Sequence, residues 1–198
     1  MKKHLFGLFL ACLSLSAVAQ ATLEWQENPS LQRIRLKKSV GGSFKLGNIH
    51  MHAGAVVVFL SPECPLSETY TLALRELHSR YKEDQIGFYG VVPGKDLSPE
   101  AIERFRTTYQ LEFPILLDSE YALCKVLKPR VTPEVFLLDP WGGIKYRGAI
   151  DDRVEALGKL KAIASAEYLN EALEKWLMTE PFWPIETTAI GCLIEMPQ

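Results

Sequence analysis

Ala55-Val56-Val57-Val58-Phe59-Leu60-Ser61-Pro62-Glu63-Cys64-Pro65-Leu66 is the stretch from which the architecture can be read. Its first six residues are apolar and rich in β-branched types, without alternation, as in a strand buried on both faces. Pro65 suits the first turn of a helix, where a missing N–H costs nothing. Leu66, Tyr70, Leu74 and Leu77 then recur at helical spacing, so a helix is expected over 65–82 with one face on a sheet. Cys64 falls at the junction, at or beside the N-cap.

The alternation continues outward. A second buried strand is expected over 86–92, ended by Pro93-Gly94. Ser98-Pro99-Glu100 opens a helix with a capping hydroxyl, a proline in the first turn and an acid near the positive dipole end. Ile102, Phe105 and Tyr109 carry its apolar stripe. A short strand over 114–117, a short helix over 119–127 and a strong strand over 134–138 follow. Asp139-Pro140-Trp141-Gly142-Gly143 turns the chain into a hairpin strand over 144–147. A last helix is expected over 164–177, with Leu169, Leu173, Trp176 and Leu177 inward. This order predicts one α/β domain over 54–178, a central sheet with helices on both faces. Strand ends and the following helix starts then share one rim, and Cys64 lies on it. Residues 20–53, polar and weakly patterned, read as an N-terminal extension with turns at Gly41-Gly42 and Gly47-Asn48 and a short strand at Phe44-Lys45-Leu46. Residues 179–198 read as a C-terminal tail carrying Cys192.

The first 19 residues predict a signal peptide: Lys2-Lys3, an apolar run from Leu5 to Val18, then the small-x-small pattern Ala17-Val18-Ala19. The run of about 14 residues is short of the roughly 20 that span a bilayer, so no stable membrane span is expected after cleavage. Export to the periplasm or the extracellular space is the expectation. The chain of 198 residues has a net charge of −2 and no basic stripe, which argues against nucleic acid as a partner. Of four cysteines, Cys12 would leave with the signal, and Cys64, Cys124 and Cys192 would remain. An odd number in an oxidising compartment leaves at least one thiol free or exchanging with another molecule.

A sulfur at a helix start faces unpaired N–H groups and the positive dipole end, which favour thiolate, the reactive form. The Ser67 hydroxyl could add a donor, whereas Glu63 and Glu68 act against the charge. The alternative is an inert cysteine at a strand end.

Phe59-Leu60-x-x-x-Cys64-Pro65, taken with Val131-Thr132-Pro133-Glu134-Val135-Phe136-Leu137-Leu138-Asp139, resembles the thioredoxin-like superfamily. Within it the chain is most similar to the redoxin branch, the alkyl hydroperoxide reductase/thiol-specific antioxidant (peroxiredoxin-like) type. Gly191-Cys192-Leu193-Ile194 is similar to the ends of peroxiredoxin-like bacterial proteins. The resemblance implies a thioredoxin-like fold with a mixed sheet. It implies that Cys64 attacks, that Pro65 starts the helix behind it, and that Pro133 is a cis-proline against the sulfur with Thr132 presenting its backbone to substrate. Several positions depart from the pattern. Ser67 stands where a second, resolving cysteine would be, and Val58 where thioredoxins keep a buried acid. Ser61 satisfies the peroxiredoxin serine or threonine, but Val57 and Pro133 replace their proline and their peroxide-orienting arginine. Arg130 and Arg147 are the arginines nearest that role.

Cys192, on a tail with Pro181-Phe182-Trp183-Pro184, could fold back and resolve Cys64 in a two-cysteine cycle. A structural Cys124–Cys192 bridge, resolution by Cys124 and a free tail thiol are the other outcomes. Cys124, beside Leu123 and Leu127, reads first as a core residue. His50 and His52 would share one face of a strand, but they read as surface histidines without further ligands. Asp151-Asp152 reads as a solvated turn and helix cap, and Trp176, Phe182 and Trp183 as anchors of core and tail. Two functions remain. One is an exported thiol–disulfide oxidoreductase or thiol peroxidase, using Cys64, Cys192, Ser67, Thr132, Pro133, Ser61 and Pro65, with a thiol donor or protein disulfide as partner. It calls for no organic cofactor or metal, because electrons pass between sulfur atoms. The other is a redox-silent module that docks a partner protein through the same rim.

Overall fold

The computed structural model describes residues 28–178 and 185–197. The elements run α1 (Pro29–Arg33), β1 (Arg35–Lys38), β2 (Ser43–Lys45), a 3-10 helix (Leu46–Met51), β3 (Gly54–Phe59), α2 (Pro65–Thr69) and α3 (Thr71–Tyr81). Then come β4 (Ile86–Pro93), α4 (Pro99–Thr108), β5 (Ile115–Asp118), α5 (Ala122–Leu127), β6 (Val131–Thr132), β7 (Glu134–Leu138) and β8 (Ile144–Gly148). The chain closes with β9 (Val154–Ala156), β10 (Lys159–Leu160), α6 (Tyr168–Leu177), β11 (Ile185–Glu186) and β12 (Cys192–Leu193).

Eight strands form one mixed sheet in the order β11-β8-β7-β3-β4-β5-β1-β2. β3 pairs parallel with β4 and antiparallel with β7, and every residue of β3 is buried. Its side chains divide by parity, as a strand's must. Val56 and Val58 enter a core with Leu74 and Leu77 of α3, Ile102 and Phe105 of α4, and Leu169 and Leu173 of α6. Ala55, Val57 and Phe59 enter a second core with Leu31 of α1, Leu46 and Ile49 of the 3-10 helix, and Leu123 and Leu127 of α5. Helices therefore cover both faces. Each fully buried valine or phenylalanine contributes about 1.5–3 kcal/mol, so the unalternating run of β3 anchors the fold.

Both flanks that the sequence reading sets outside the domain enter its sheet. β1 pairs with β5, β2 extends it, and β11 pairs with β8 at the opposite edge. Strands of two to four residues, with Arg35 and Lys37 of β1 facing water, carry little hydrophobic pattern, so 20–53 reads as extension. Where a strand face was expected, the 3-10 helix holds His50 and His52 follows it as the C-cap. His50 Nδ1 lies 2.5 Å from the Gly47 carbonyl and His52 Nε2 3.0 Å from the Tyr89 hydroxyl. The helix expected over 65–82 is two helices that meet at Tyr70. Thr69 Oγ1 donates to Pro65 O at 3.0 Å and Thr71 Oγ1 to Glu68 O at 2.8 Å, the back-bonding that bends helices. α6 starts four residues later than expected, because Asp152 ties down the chain before it. Its carboxylate accepts the Ser165 and Ala166 N–H groups at 2.7 and 3.0 Å and pairs with Lys161. Asp151 is buried and ion-paired with Arg153 at 3.0 Å, so the pair is structural rather than a solvated turn.

No helix among the described residues is long and apolar enough to cross a membrane. The expected signal peptide and the Pro181-Phe182-Trp183-Pro184 anchor lie outside the described residues. Trp176 donates its indole N–H to Ala53 O at 3.0 Å.

Candidate active site

β3 ends at the rim, and the chain turns through Ser61-Pro62-Glu63 to Cys64, the N-cap of α2, with Pro65 at the first helical position. The turn is braced internally. Ser67, fully buried, accepts the Ser61 N–H on Oγ at 3.1 Å, and Ser61 Oγ accepts the Glu63 N–H at 3.3 Å. Cys64 O accepts the Ser67 N–H at 2.9 Å. Ser67 therefore holds the loop that carries the cysteine, through a bond its position in the sequence did not announce.

Opposite this loop stands β6, followed by a cis Thr132–Pro133 peptide bond. The Cys64 sulfur lies 3.0 Å from the Thr132 carbonyl oxygen. It is bonded to Cys192 in a disulfide that links residues 128 apart, with Cα atoms 6.1 Å apart. The tail reaches Cys64 as a strand. β12 pairs antiparallel with β6, Cys192 opposite Thr132 and Leu193 opposite Val131, and the Ile194 N–H donates to Arg130 O at 3.1 Å. Beneath it Cys64 is only 2 % exposed, whereas Cys192 is half-buried. Of the cysteine outcomes left open, the structure pairs Cys64 with Cys192. Cys124 is free and fully buried, which removes the Cys124–Cys192 bridge. Burial, then the Asp118 carboxylate, push the Cys124 thiol well above its ordinary range. Asp118 itself accepts the Leu123 and Cys124 N–H groups at 3.0 and 2.9 Å, capping α5.

Two cavities flank the tail. One of about 360 Å³ lies over Cys64 and is lined by Ser61, Glu63, Asp96, Tyr121, Thr132 and Glu195, among others. Its charged lining residues, Glu63, Asp96 and Glu195, are all acidic. The other, about 370 Å³, opens beside Pro133 and is lined by Tyr70, Asp151, Lys161 and Ile190, among others.

Neither arginine considered for peroxide orientation lines either cavity; both are engaged by Glu134, a residue that sequence reasoning passed over. Glu134 follows Pro133 and is fully buried. It accepts the Arg130 backbone N–H at 2.6 Å, an Arg130 guanidinium N–H at 3.0 Å and one from Arg147 at 3.3 Å. Both guanidiniums also face Glu186 of β11, at 3.3 and 3.8 Å. A carboxylate in this position closes the Arg130–Glu134 loop on itself and fixes the β6 backbone beside Cys64. The available signal was an acid heading the apolar run Val135-Phe136-Leu137-Leu138, since such a charge is buried only with partners.

The chain's residues 29–147 match the model of the AhpC/TSA family. No curated protein matches the chain. Among solved structures, a hypothetical protein from Sinorhizobium meliloti superposes with a TM-score of 0.73 at 22 % identity, covering 83 % of this chain and 91 % of that one. A secreted Mycobacterium tuberculosis disulfide oxidoreductase homologous to E. coli DsbE superposes at 0.54 with 16 % identity, covering 76 % of this chain and 98 % of that one. A mutant of PrxQ from Xylella fastidiosa gives 0.55 at 20 % identity, over 75 % and 90 %. At these identities the likeness is one of fold, and the fold is thioredoxin-like.

Proposed function

Because the chain belongs to the AhpC/TSA family, we propose that it is an exported thiol–disulfide oxidoreductase whose redox couple is Cys64 and Cys192. The observation that carries this reading is the disulfide between the helix-start cysteine and the tail, formed against the Thr132–Pro133 turn. In the reduced protein the Cys64 thiolate attacks one sulfur of a substrate disulfide. A Cys64–substrate bond forms, the substrate's S–S bond breaks, and the second substrate sulfur leaves as thiolate with the bonding electrons. The Cys192 thiolate then attacks the Cys64 sulfur, forming the internal disulfide and releasing the first substrate sulfur. The substrate gains two electrons and the protein dithiol loses two; an external dithiol restores it. The attacking thiolate form of Cys64 is favoured by its N-cap position.

A disulfide suits the site better than a hydroperoxide. Polarising an O–O bond calls for a cationic donor at the sulfur, but Arg130 and Arg147 are held by Glu134 and Glu186. The side chains that bring charge to the cavity over Cys64 are carboxylates. Disulfide exchange asks only for a thiolate in line with the S–S axis. Ser61 and Ser67 brace the loop, Pro65 starts the helix, and Thr132 with Pro133 forms the wall against which the sulfurs meet. Protein disulfides and a thiol donor are the partners. The Lys2-Lys3 start and the Ala17-Val18-Ala19 site support export.

The test compares reduced full-length protein, after signal removal, with a peptide disulfide and with hydrogen peroxide under single-turnover conditions, followed by thiol titration and disulfide mapping. Faster loss of two thiols with the disulfide, and a Cys64–Cys192 product, is the expected result. Faster reaction with peroxide would make the protein a thiol peroxidase. Inertness toward both would leave the docking module as the function.

A further inference from the structure

The tail does more than bring a sulfur to Cys64; it lies on β6 as a strand, and its sequence fits that seat closely. Among the described residues β6 pairs only with β12, in a two-stranded sheet, so without the tail the Val131–Thr132 backbone on that side is an open strand edge. Main-chain pairing accepts any extended peptide, and selection must come from side-chain space. That space is severe at one position. A Cβ on Gly191 would stand 2.3 Å from Thr132 O and 2.7 Å from Thr132 C, both backbone atoms. Gly191 does not have the left-handed φ that would itself require glycine. The glycine is there for room. On either side of it an isoleucine anchors the tail. Ile190 packs against the core on the α3 and α6 side and Ile194 against the core on the α1 and α5 side, whereas Leu193 is 79 % exposed. Cys64 is 2 % exposed beneath this strand, so another polypeptide reaches it only by replacing the tail.

We infer that the β6 edge is a receptor for an extended polypeptide strand of the pattern apolar-Gly-Cys-x-apolar, and that the chain's own Ile190–Ile194 occupies it as an internal competitor. The inference rests on the thiol–disulfide reading above and names its substrate class: protein segments in which a glycine precedes the reacting cysteine. Once the disulfide is reduced the tail is held only by its pairing with β6, so reduction arms Cys64 and lets an incoming segment compete with the tail for the edge. The incoming segment pairs with Val131 and Thr132, and its cysteine sulfur sits where Cys192 Sγ sat. Cys64 attacks that sulfur, one S–S bond forms and one breaks, and the segment's former disulfide partner departs as thiolate.

The test uses full-length Cys192→Ser protein and synthetic peptides whose cysteine carries a thionitrobenzoate disulfide, so that exchange releases a coloured thiolate. The Ala-Ile-Gly-Cys-Leu-Ile peptide is expected to react at least about tenfold faster than Ala-Ile-Ala-Cys-Leu-Ile, a difference that one forced shift of the strand supplies. In the Gly191→Ala/Cys192→Ser protein the chain's own tail no longer fits, and the glycine peptide is expected to react several-fold faster than with Cys192→Ser alone. Ellman's reagent, too small to use the edge, reports Cys64 reactivity itself. If it reacts while the two peptides do so at equal rates, or while Gly191→Ala changes nothing, the strand receptor is overturned and the redox reading stands. If Cys64 ignores Ellman's reagent as well, the redox reading fails and takes this inference with it.

Discussion

Replacing Glu134 by glutamine removes one charge from the centre of the loop that carries Thr132 and Pro133. The side chain keeps its length and one carbonyl oxygen, so packing changes little and the charge is what is tested. Three donated bonds reach this carboxylate, at 2.6, 3.0 and 3.3 Å, two of them from guanidiniums. Hydrogen bonds to charged groups contribute about 1.5–3 kcal/mol each, and breaking a fully buried ion pair costs about 3–5 kcal/mol. Arg130 is 47 % exposed and Arg147 22 %, so water takes over part of the solvation of each when the charge is lost. The exposed Glu186 pairings contribute about 0–1 kcal/mol and offset little. Glu134→Gln is therefore expected to cost about 2 kcal/mol, and Glu134→Ala, which also strips the Arg130 N–H of its acceptor, about 3–5 kcal/mol. Urea unfolding of the reduced protein, followed by far-UV circular dichroism, measures both. With a slope of about 2 kcal/mol per molar, the glutamine variant should lose about 1 M in midpoint. A midpoint within about 0.2 M of the parent protein for both variants would refute the idea that this carboxylate fixes the loop.

Two further perturbations follow from one half-buried and one fully buried titratable group. Burial between the Phe88 and Phe113 rings, at 5.4 and 5.6 Å, holds the His78 imidazole below its ordinary 6.5, with Glu112 opposing and Lys82 assisting. The unfolded chain then takes up this proton first, so stability should fall as pH drops through about 6.5, and His78→Phe should flatten that slope between about pH 7 and 5. An NMR titration placing His78 above 6.5 would contradict this. Cys124 should resist iodoacetamide at pH 8 in the native protein and react only with unfolding, because burial and Asp118 keep it protonated; prompt labelling of the native thiol would contradict the assignment.

The parts of the fold that could be read in advance are those where pattern and burial coincide. β3 and β7 are apolar runs buried on both faces, and Pro65 and Ser98-Pro99 mark helix starts that the structure keeps. Cys64 at the strand–helix junction was legible for the same reason, whereas the place of Thr132–Pro133 beside it was read from the resemblance to thioredoxin-like proteins. The rest depends on long-range partners. β2 and β11 are short edge strands and β1 a short strand beside β2, and their pairing is main-chain and leaves little side-chain signature. The tail's path is likewise set by backbone pairing with β6 and by space at Gly191, neither of which a cysteine count reveals. Glu134 read only as the first residue of a strand, because its two arginine partners come from position 130, in the loop before β6, and from 147, on β8. The thiol environment expected from Ser67 resolved instead into a brace on Ser61, a bond that exists only once the loop has closed.

The central claim is that Cys64 is the sulfur that meets substrate and Cys192 the one that releases it. Trapping tests it directly: reduced Cys192→Ser and Cys64→Ser proteins are each mixed with a peptide disulfide, and the products are mapped by mass spectrometry. The account predicts a stable Cys64–peptide mixed disulfide in the first and no comparable adduct on Cys192 in the second. Adduct on Cys192 with Cys64 unmodified would reverse the roles and contradict the account.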